Sequence, residues 1–529
     1  REALEAYPID EILFDTMTGF NPCYCDACRR SFGKEIPTDE SDPDWLEYVA
    51  WYRAQFDAFF AKTARELRAD YPDLEVIFNW NWSIRQPMRP PEGINRLIAD
   101  LFASGRIGSP VCRYYASSGL PYSYMCGRFL YALGDWNSAR PATLKYTAAA
   151  SIANGGSFYL IDRQLADGSL EERSYTTMKD VFDFVNERRS VLGGSLLNET
   201  AVLFSYDTIF GSRLERFPKM DVRKAKMDRF EGVARLMIER GRHYIAVNDA
   251  DLPDRLDDAR LVILPEIERL PAETAEKLKR FVEAGGSLFI THPGGEGLDP
   301  ALAELAGVTV EGFHERDYGY IEDPEGEPVC VYTKIARART TPGSGSEARL
   351  RYVEPLAVAG DSGSFGHGFA PAGEPTDDAA WTERKIGRGA VAYVAFPLFE
   401  MFQRSPHYRV GDLFVEVVDR LLPDPVARID TPAQVELTST RRNDDLVVNL
   451  VNHAGKEELL NGWYPRTEYV PEIRDLRLRV RARAGRPLTP RAVPGGREAE
   501  VERSGDALEI AVPPLKYMQS IVLSGYFTD

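Results

Sequence analysis

Apolar and polar positions fall into three successive rhythms along this chain. In residues 1–195, short apolar runs are separated by stretches with apolar residues at helical spacing. Ile12-Leu13-Phe14-Asp15 is a β-rich run that closes on an acid. Residues 44–69 follow as an amphipathic helix, and Glu75-Val76-Ile77-Phe78-Asn79-Trp80 as the next strand. The pattern then predicts a helix over 92–104, a strand over 122–128, a helix over 141–154, a strand over 156–161 and a helix over 171–190. Such alternation implies a parallel sheet with helices outside it.

Residues 198–310 repeat the alternation, with strands at 201–205, 243–247, 261–264 and 287–290 and helices at 223–240 and 271–284. The second helix begins at Pro271, a favoured first-turn residue, and stops at Gly285-Gly286. A Gly-, Pro- and charge-rich stretch, about 311–380, interrupts the pattern and includes Pro342-Gly343-Ser344-Gly345-Ser346, which reads as a flexible loop. Strand 390–394 and helix 409–421 resume it, so the whole reads as one doubly wound domain with an insertion. From 431 to 525 helical periodicity disappears. Runs at 435–438, 446–450 and 508–512, separated by turn residues, predict a small antiparallel sandwich. The expected class is α/β, with domains at 1–195, 196–425 and 426–529. At about 100–200 residues per domain, 529 residues accommodate three.

The formal net charge of −17 argues against nucleic acid and against an anionic membrane surface. No apolar run reaches the roughly 18–20 residues of a membrane span. A neutral small molecule or sugar suits this surface. Aromatics at 11% suit sugar faces and protein cores alike. Six cysteines in this length make no disulfide scaffold. Three of them, in Cys23-Tyr24-Cys25-Asp26-Ala27-Cys28, fit a metal site in a reducing compartment, so the expected location is cytoplasmic. The chain opens on Arg1, and residues 9–15 already read as a buried strand.

Polar residues at the carboxyl ends of parallel strands are where an α/β barrel builds its site, and here these are Asp15, Asn79, Asn81, Arg128 and Asp162. Asn79-Trp80-Asn81-Trp82 alternates amide and indole, pairing hydrogen-bonding groups with apolar faces; its other reading is a packed aromatic corner. Tyr114, Tyr124, Trp136 and Gln164 are further candidates for the same mouth, and a buried Arg128 would pair with Asp15 or Asp135. The run His292-Pro293-Gly294-Gly295-Glu296-Gly297 has neither Rossmann nor P-loop spacing, and the six histidines lack metal spacing.

Four segments together resemble one known architecture. Phe14-Asp15 followed by Cys23-Tyr24-Cys25, Cys28 and Phe32 resembles the glycoside hydrolase family 42 β-galactosidase group. Gly127-Arg128-Phe129 with Gly134-Asp135-Trp136 resembles relatives that include the family 151 α-L-fucosidases. Residues 261–291 are similar to the flavodoxin-like (class I amidotransferase-like) β-galactosidase trimerisation domain, and 431–452 to the closing sandwich. The resemblance implies that Asp15 ends the fourth strand of a (β/α)₈ barrel, with strands one to three before Arg1, so that an incomplete barrel is expected. It implies a glycosidase cleaving a terminal sugar from an oligosaccharide or glycoside, most similar to a retaining α-L-fucosidase with Asp15 as nucleophile. A family 42-type Asn-Glu pair is absent from this position. Asp162, which ends the run Ser157-Phe158-Tyr159-Leu160-Ile161, and then Asp135 in Gly134-Asp135-Trp136 are the expected acid/base partners; Pro121-Tyr122-Ser123-Tyr124 stands where many relatives carry a Pro-Phe-Glu-like stretch, and a partner upstream of Arg1 is the alternative. A β-galactosidase-like hydrolase and an inactive carbohydrate-binding homologue are the alternatives. The resemblance further implies a structural zinc on Cys23, Cys25 and Cys28, no catalytic cofactor, and a homo-oligomer. The fourth zinc ligand would come from upstream, or from Cys112 or Cys126.

Overall fold

The structure is a computed structural model that describes residues 2–15, 23–38, 41–79, 82, 84, 87–100, 105–130, 135–210, 220–295, 297–324, 326–356, 369–432, 434–456, 458–460, 464–483 and 488–528. Its first unit holds five parallel strands, β1 (Glu11–Phe14), β2 (Glu75–Phe78), β3 (Leu97–Asp100), β4 (Tyr122–Gly127) and β5 (Ser157–Ile161). β1 pairs with β2, and β3, β4 and β5 pair in that order; among the described residues the strands do not close into a ring. Between β2 and β3 a side chain replaces the ladder. Asn95 accepts from the Val76 N–H (3.0 Å) and donates to the Leu74 carbonyl (3.0 Å).

Alternation along each strand sorts the residues onto two faces. Ile12, Phe14, Val76 and Phe78 face the helices, where Phe78 stacks on Phe14 (centroids 4.9 Å) and meets Phe60 of helix Trp45–Asp70 (4.5 Å). The opposite face is polar at its amino-terminal end. There Arg96 donates to Glu75 (2.9 Å) and Ser123 (2.8 Å) and lies 3.6 Å from Glu11, while Tyr159 of β5 donates to Glu11 of β1 (3.0 Å). A bond from the last strand to the first requires the sheet to curl around this face, which is therefore concave.

The expected helix over 92–104 is corrected: residues 97–100 form β3, and the helix is Gly105–Ser117. The apolar spacing of this segment belongs to a strand buried on both sides, whose period is ambiguous over four residues. Helices Pro141–Ala153 and Glu172–Asn186 lie where the sequence puts them.

The second unit contains a nine-stranded sheet whose parallel part runs Gly389–Val394, Ser287–Thr291, Leu261–Leu264, Thr200–Leu203, Ile245–Val247, the flavodoxin-type order. The described residues of the insertion carry strands. Ser346–Pro355 and Ala372–Ile386 pair antiparallel and extend the same sheet beyond Gly389–Val394, and residues 341–345, within the segment that reads as a loop, form the turn from Ala336–Thr340 into Ser346–Pro355. Alternating charged and apolar residues, as in Ser346–Pro355, disguise a half-exposed strand as a polar loop. The last unit is a two-sheet sandwich of four and five strands. Ser195–Leu196, where the chain leaves the first unit, pairs with Val435–Arg442 and so joins the sandwich sheet.

All three units meet at one buried charge cluster. Arg113 of helix Gly105–Ser117, fully buried, donates to Glu436 (2.5 Å) and Thr438 (2.6 Å) of the sandwich and to the Tyr244 carbonyl (3.1 Å) of the second unit. Glu436 also accepts from Ser109 (2.5 Å) and pairs with His453 (2.8 Å), whose other ring nitrogen lies 2.6 Å from the Tyr146 hydroxyl. His243 accepts the Ser439 N–H at Nδ1 (3.1 Å) and donates from Nε2 to the Leu197 carbonyl (2.8 Å), which fixes it as neutral. Burial would raise the Glu436 pKa, but Arg113 and then His453 and Ser109 overcome it and hold it at about 2.

Removing one partner of a buried ion pair leaves the other charge stranded. Arg113→Leu is expected to cost about 3–5 kcal/mol in urea unfolding, with partial recovery in Arg113→Leu/Glu436→Leu. The same measurement run against pH tests the histidines. Burial, with Arg113, draws His243 down to about 3, and burial draws His292 down to about 4. The unfolded chain therefore binds more protons below about pH 6.5. Stability falls as pH drops from there towards 4, by up to roughly 1.4 kcal/mol per pH unit for each histidine. Glu436, with its pKa lowered, adds stability above about pH 4.3 that is lost as pH falls towards 2.

Candidate functional site

The carboxyl ends of the five strands form one rim. β1 is followed by Asp15, β2 by Asn79, β4 by Arg128 and β5 by Asp162, and β3 closes on Asp100. Asp15 and Asn79 share the concave face with Glu11 and Glu75 by register. Asn79, buried, donates from Nδ2 to Asp15 Oδ1 at 2.9 Å, while Asp15 itself is exposed to solvent. A buried amide thus orients an accessible carboxylate, an arrangement suited to a nucleophile or an electrostatic stabiliser of an oxocarbenium-like centre.

Arg128 and Asp162 take the opposite register. Their pairing continues that of Gly127 with Ile161, and the Arg128 N–H donates to the Ile161 carbonyl (3.1 Å), on the side where Tyr122, Tyr124 and Phe158 meet the helices. Arg128 is fully buried and donates from Nε to Asp162 Oδ1 (2.5 Å), with Glu171 Oε2 at 3.7 Å. The partner expected for Arg128 was Asp15 or Asp135; the structure supplies Asp162, its cross-strand neighbour. Asp162 Oδ1 accepts a second bond from the Arg163 N–H (2.7 Å). Asp135 accepts from the Asn137 N–H (2.6 Å) in a local turn, and Trp136 beside it is 47% exposed. Gln164 is exposed on the same rim.

Other expected site residues lie elsewhere. Tyr124 is buried on the helix side of β4, against Gly108; a Cβ added there would come within 2.4 Å of the tyrosine oxygen, so only glycine lets the helix approach. Tyr114 is buried between the first and second units, donating to the Met88 carbonyl (3.2 Å) and accepting from Asn248 (3.3 Å). Trp82 is buried edge-on against Phe60 (5.3 Å), the packed aromatic corner. Trp80 and Asn81 lie outside the described residues. Asp100 escaped the sequence reading because its segment looked helical. The usable signal was the repeated ending: 12–15, 97–100 and 159–162 are all apolar runs closing on Asp.

The sulfurs of Cys23, Cys25 and Cys28 lie within 4.8 Å of one another. They sit where the chain enters helix Asp26–Phe32, whose Phe32 meets Tyr48 edge-on (5.3 Å) on helix Trp45–Asp70. The Cys28 N–H, then the neighbouring thiols, draws Cys25 down to about 7, and burial, then the same neighbours, pushes Cys28 up to about 12. Three thiolates this close repel one another, and one divalent cation would relieve that. Tetrahedral zinc, with Zn–S near about 2.3 Å, fits such a trio. Cys112 and Cys126 are buried in the core of the first unit and do not join the cluster.

The α/β fold is similar to those of solved glycosidases. It is similar to α-L-fucosidase isoenzyme 2 from Paenibacillus thiaminolyticus, at 19% identity over 99% of this chain and 78% of that one, with a TM-score of 0.80. It is also similar to the β-galactosidase from Bacillus circulans sp. alkalophilus, at 14% identity over 95% and 77% of the two chains, TM-score 0.61. In sequence it is 27% identical over 283 residues to the β-galactosidase BglY of Alicyclobacillus acidocaldarius, a match covering 49% of this chain and 37% of that enzyme. The matched stretch is thus little more than a third of that relative's length. No family model matches the chain. Among the described residues no helix is long and apolar enough to cross a membrane.

Mutation should have opposite consequences for stability at Asp15 and at the Arg128–Asp162 pair. Asp15→Asn, at an exposed position, is expected to leave unfolding free energy within about 0.5 kcal/mol of wild type. Arg128→Leu strands the buried Asp162 and is expected to cost about 3–5 kcal/mol, read by urea unfolding.

Proposed function

We propose that this chain is the greater part of a retaining glycosidase acting on a neutral terminal sugar, α-L-fucosidase-like in specificity. Its 1–195 unit is the later strands of a (β/α)₈ barrel, 196–425 a flavodoxin-like trimerisation-type domain, and 426–529 the closing sandwich. The observation that carries the reading is the exposed Asp15 carboxylate held by buried Asn79 on the concave side of a strand rim. Asp15 attacks the anomeric carbon, and a second carboxyl group protonates the departing oxygen and then activates water. Asp100 is the better candidate for that second group. In its support, Asp100 ends β3 at the same rim, with its backbone in register with Met125, while Asp162 is held by Arg128. A β-galactosidase-like specificity is the second reading, favoured by the sequence match to BglY.

Aryl α-L-fucoside and aryl β-D-galactoside assays decide between the sugars. Asp15→Asn is expected to lower kcat by about 10³-fold or more on whichever is cleaved. Asp100→Asn is expected to spare substrates with highly acidic leaving groups, which need no proton. Undiminished turnover in Asp15→Asn would remove the nucleophile.

The cysteine trio is read as a structural zinc site. Elemental analysis should find about one zinc per chain. Cys28→Ser should abolish it and lower the thermal midpoint by several degrees while leaving kcat of the folded fraction unchanged.

A further inference from the structure

One arm of the Arg128 guanidinium is spent on the segment that follows β4. Nη1 donates to the backbone carbonyls of Asp135 (3.4 Å) and Asn137 (3.2 Å) and to Ser138 Oγ (3.4 Å). Nε is anchored on Asp162 (2.5 Å), and Nη2 faces Glu171 at 3.7 Å. The backbone adds a bond from the Ala139 N–H to the Arg128 carbonyl (2.6 Å) and a bridge between Phe129 and Ser138. The same guanidinium lies 5.9 Å from the centre of the Trp136 ring, as does that of Arg163. Yet Arg128 is fully buried while Trp136 is 47% exposed. A buried, planar, five-donor fork therefore fixes the carbonyls on both sides of an indole displayed at the rim.

From this geometry we infer that Arg128 is a positioning residue. It touches no substrate and holds Trp136 as the platform on which the apolar face of a sugar ring stacks. The choice of sugar as occupant rests on the glycosidase reading above; the clamp itself does not. Lysine cannot replace the fork, because a point charge on a flexible stem cannot meet several in-plane acceptors at once. An aromatic stacking contact of about 1–1.5 kcal/mol corresponds to roughly tenfold in affinity.

Two measurements on the whole chain test this. In kinetics with the cleaved aryl glycoside, Trp136→Ala raises KM about tenfold with kcat within about twofold. Arg128→Lys gives the same KM-selective loss, and Arg128→Lys/Trp136→Ala is no worse than Trp136→Ala alone. In hydrogen–deuterium exchange, amides 135–139 exchange faster in Arg128→Lys than in wild type. Should Arg128→Lys not fold, Asp162→Asn, which loosens the Nε anchor, gives both results. Multiplying KM effects in the double variant, a kcat loss at unchanged KM, or unchanged exchange at 135–139 would each overturn the inference. If wild type cleaves no glycoside, the glycosidase reading falls, and the exchange result still decides the clamp.

Discussion

One ion pair sealed from water, Arg113 with Glu436, determines how the three units of this chain sit together. Arg113 comes from a helix of the first unit and Glu436 from the sandwich, and the second unit contributes the Tyr244 carbonyl and neutral His243. Neither charge could be buried alone, because an unpaired ion in the interior costs several kcal/mol. The pair is tolerated because nearly every lone pair and donor around it is used by Ser109, Thr438, Asn154 and the His453–Tyr146 relay. Such a network specifies geometry more sharply than apolar packing, since a small slip would leave several polar groups unmet.

The helices that carry this junction are the ones that back the strand rim. Gly105–Ser117 and Pro141–Ala153 lie against β4 and β5, through Tyr124 on Gly108 and Tyr122 on the Ser151 carbonyl (3.1 Å). The strands therefore reach their carboxyl ends on a fixed base. On the concave side the Arg96 cluster ties all five strands at their amino ends, leaving Asp15 and Asn79 to project at the other. On the helix side Arg128 and Asp162 close the space between β4 and β5. Charge is thus divided by the pleat, with accessible acid on one face and structural ion pairs on the other.

Much of this could be read from the sequence. The two α/β rhythms, the sandwich, the acid at residue 15 and the clustered cysteines follow from local pattern, and local pattern suffices where an element's period is clear. What could not be read depends on which face a residue takes. Tyr124, Trp82 and Asp162 look like mouth residues because they sit at or near strand ends; a one-residue step in register turns each to the helices. β3 was hidden because four apolar-rich residues flanked by amphipathic sequence fit a helix equally well, and Asp100 was hidden with it. The strands of the insertion were hidden because an exposed antiparallel extension needs little apolar content. No local signal pairs Arg113 with Glu436, which are 323 residues apart.

The proposed glycosidase chemistry depends on a covalent role for the rim aspartate. Incubation with a 2-deoxy-2-fluoro glycosyl fluoride of the cleaved sugar, followed by peptide mass spectrometry, tests it most directly, since the fluorine slows hydrolysis of a glycosyl-enzyme. The expected result is one fluorosugar per chain, on the peptide containing Asp15. A label on the Asp100, Asp135 or Asp162 peptide, or inactivation-free turnover with no label at all, would contradict it.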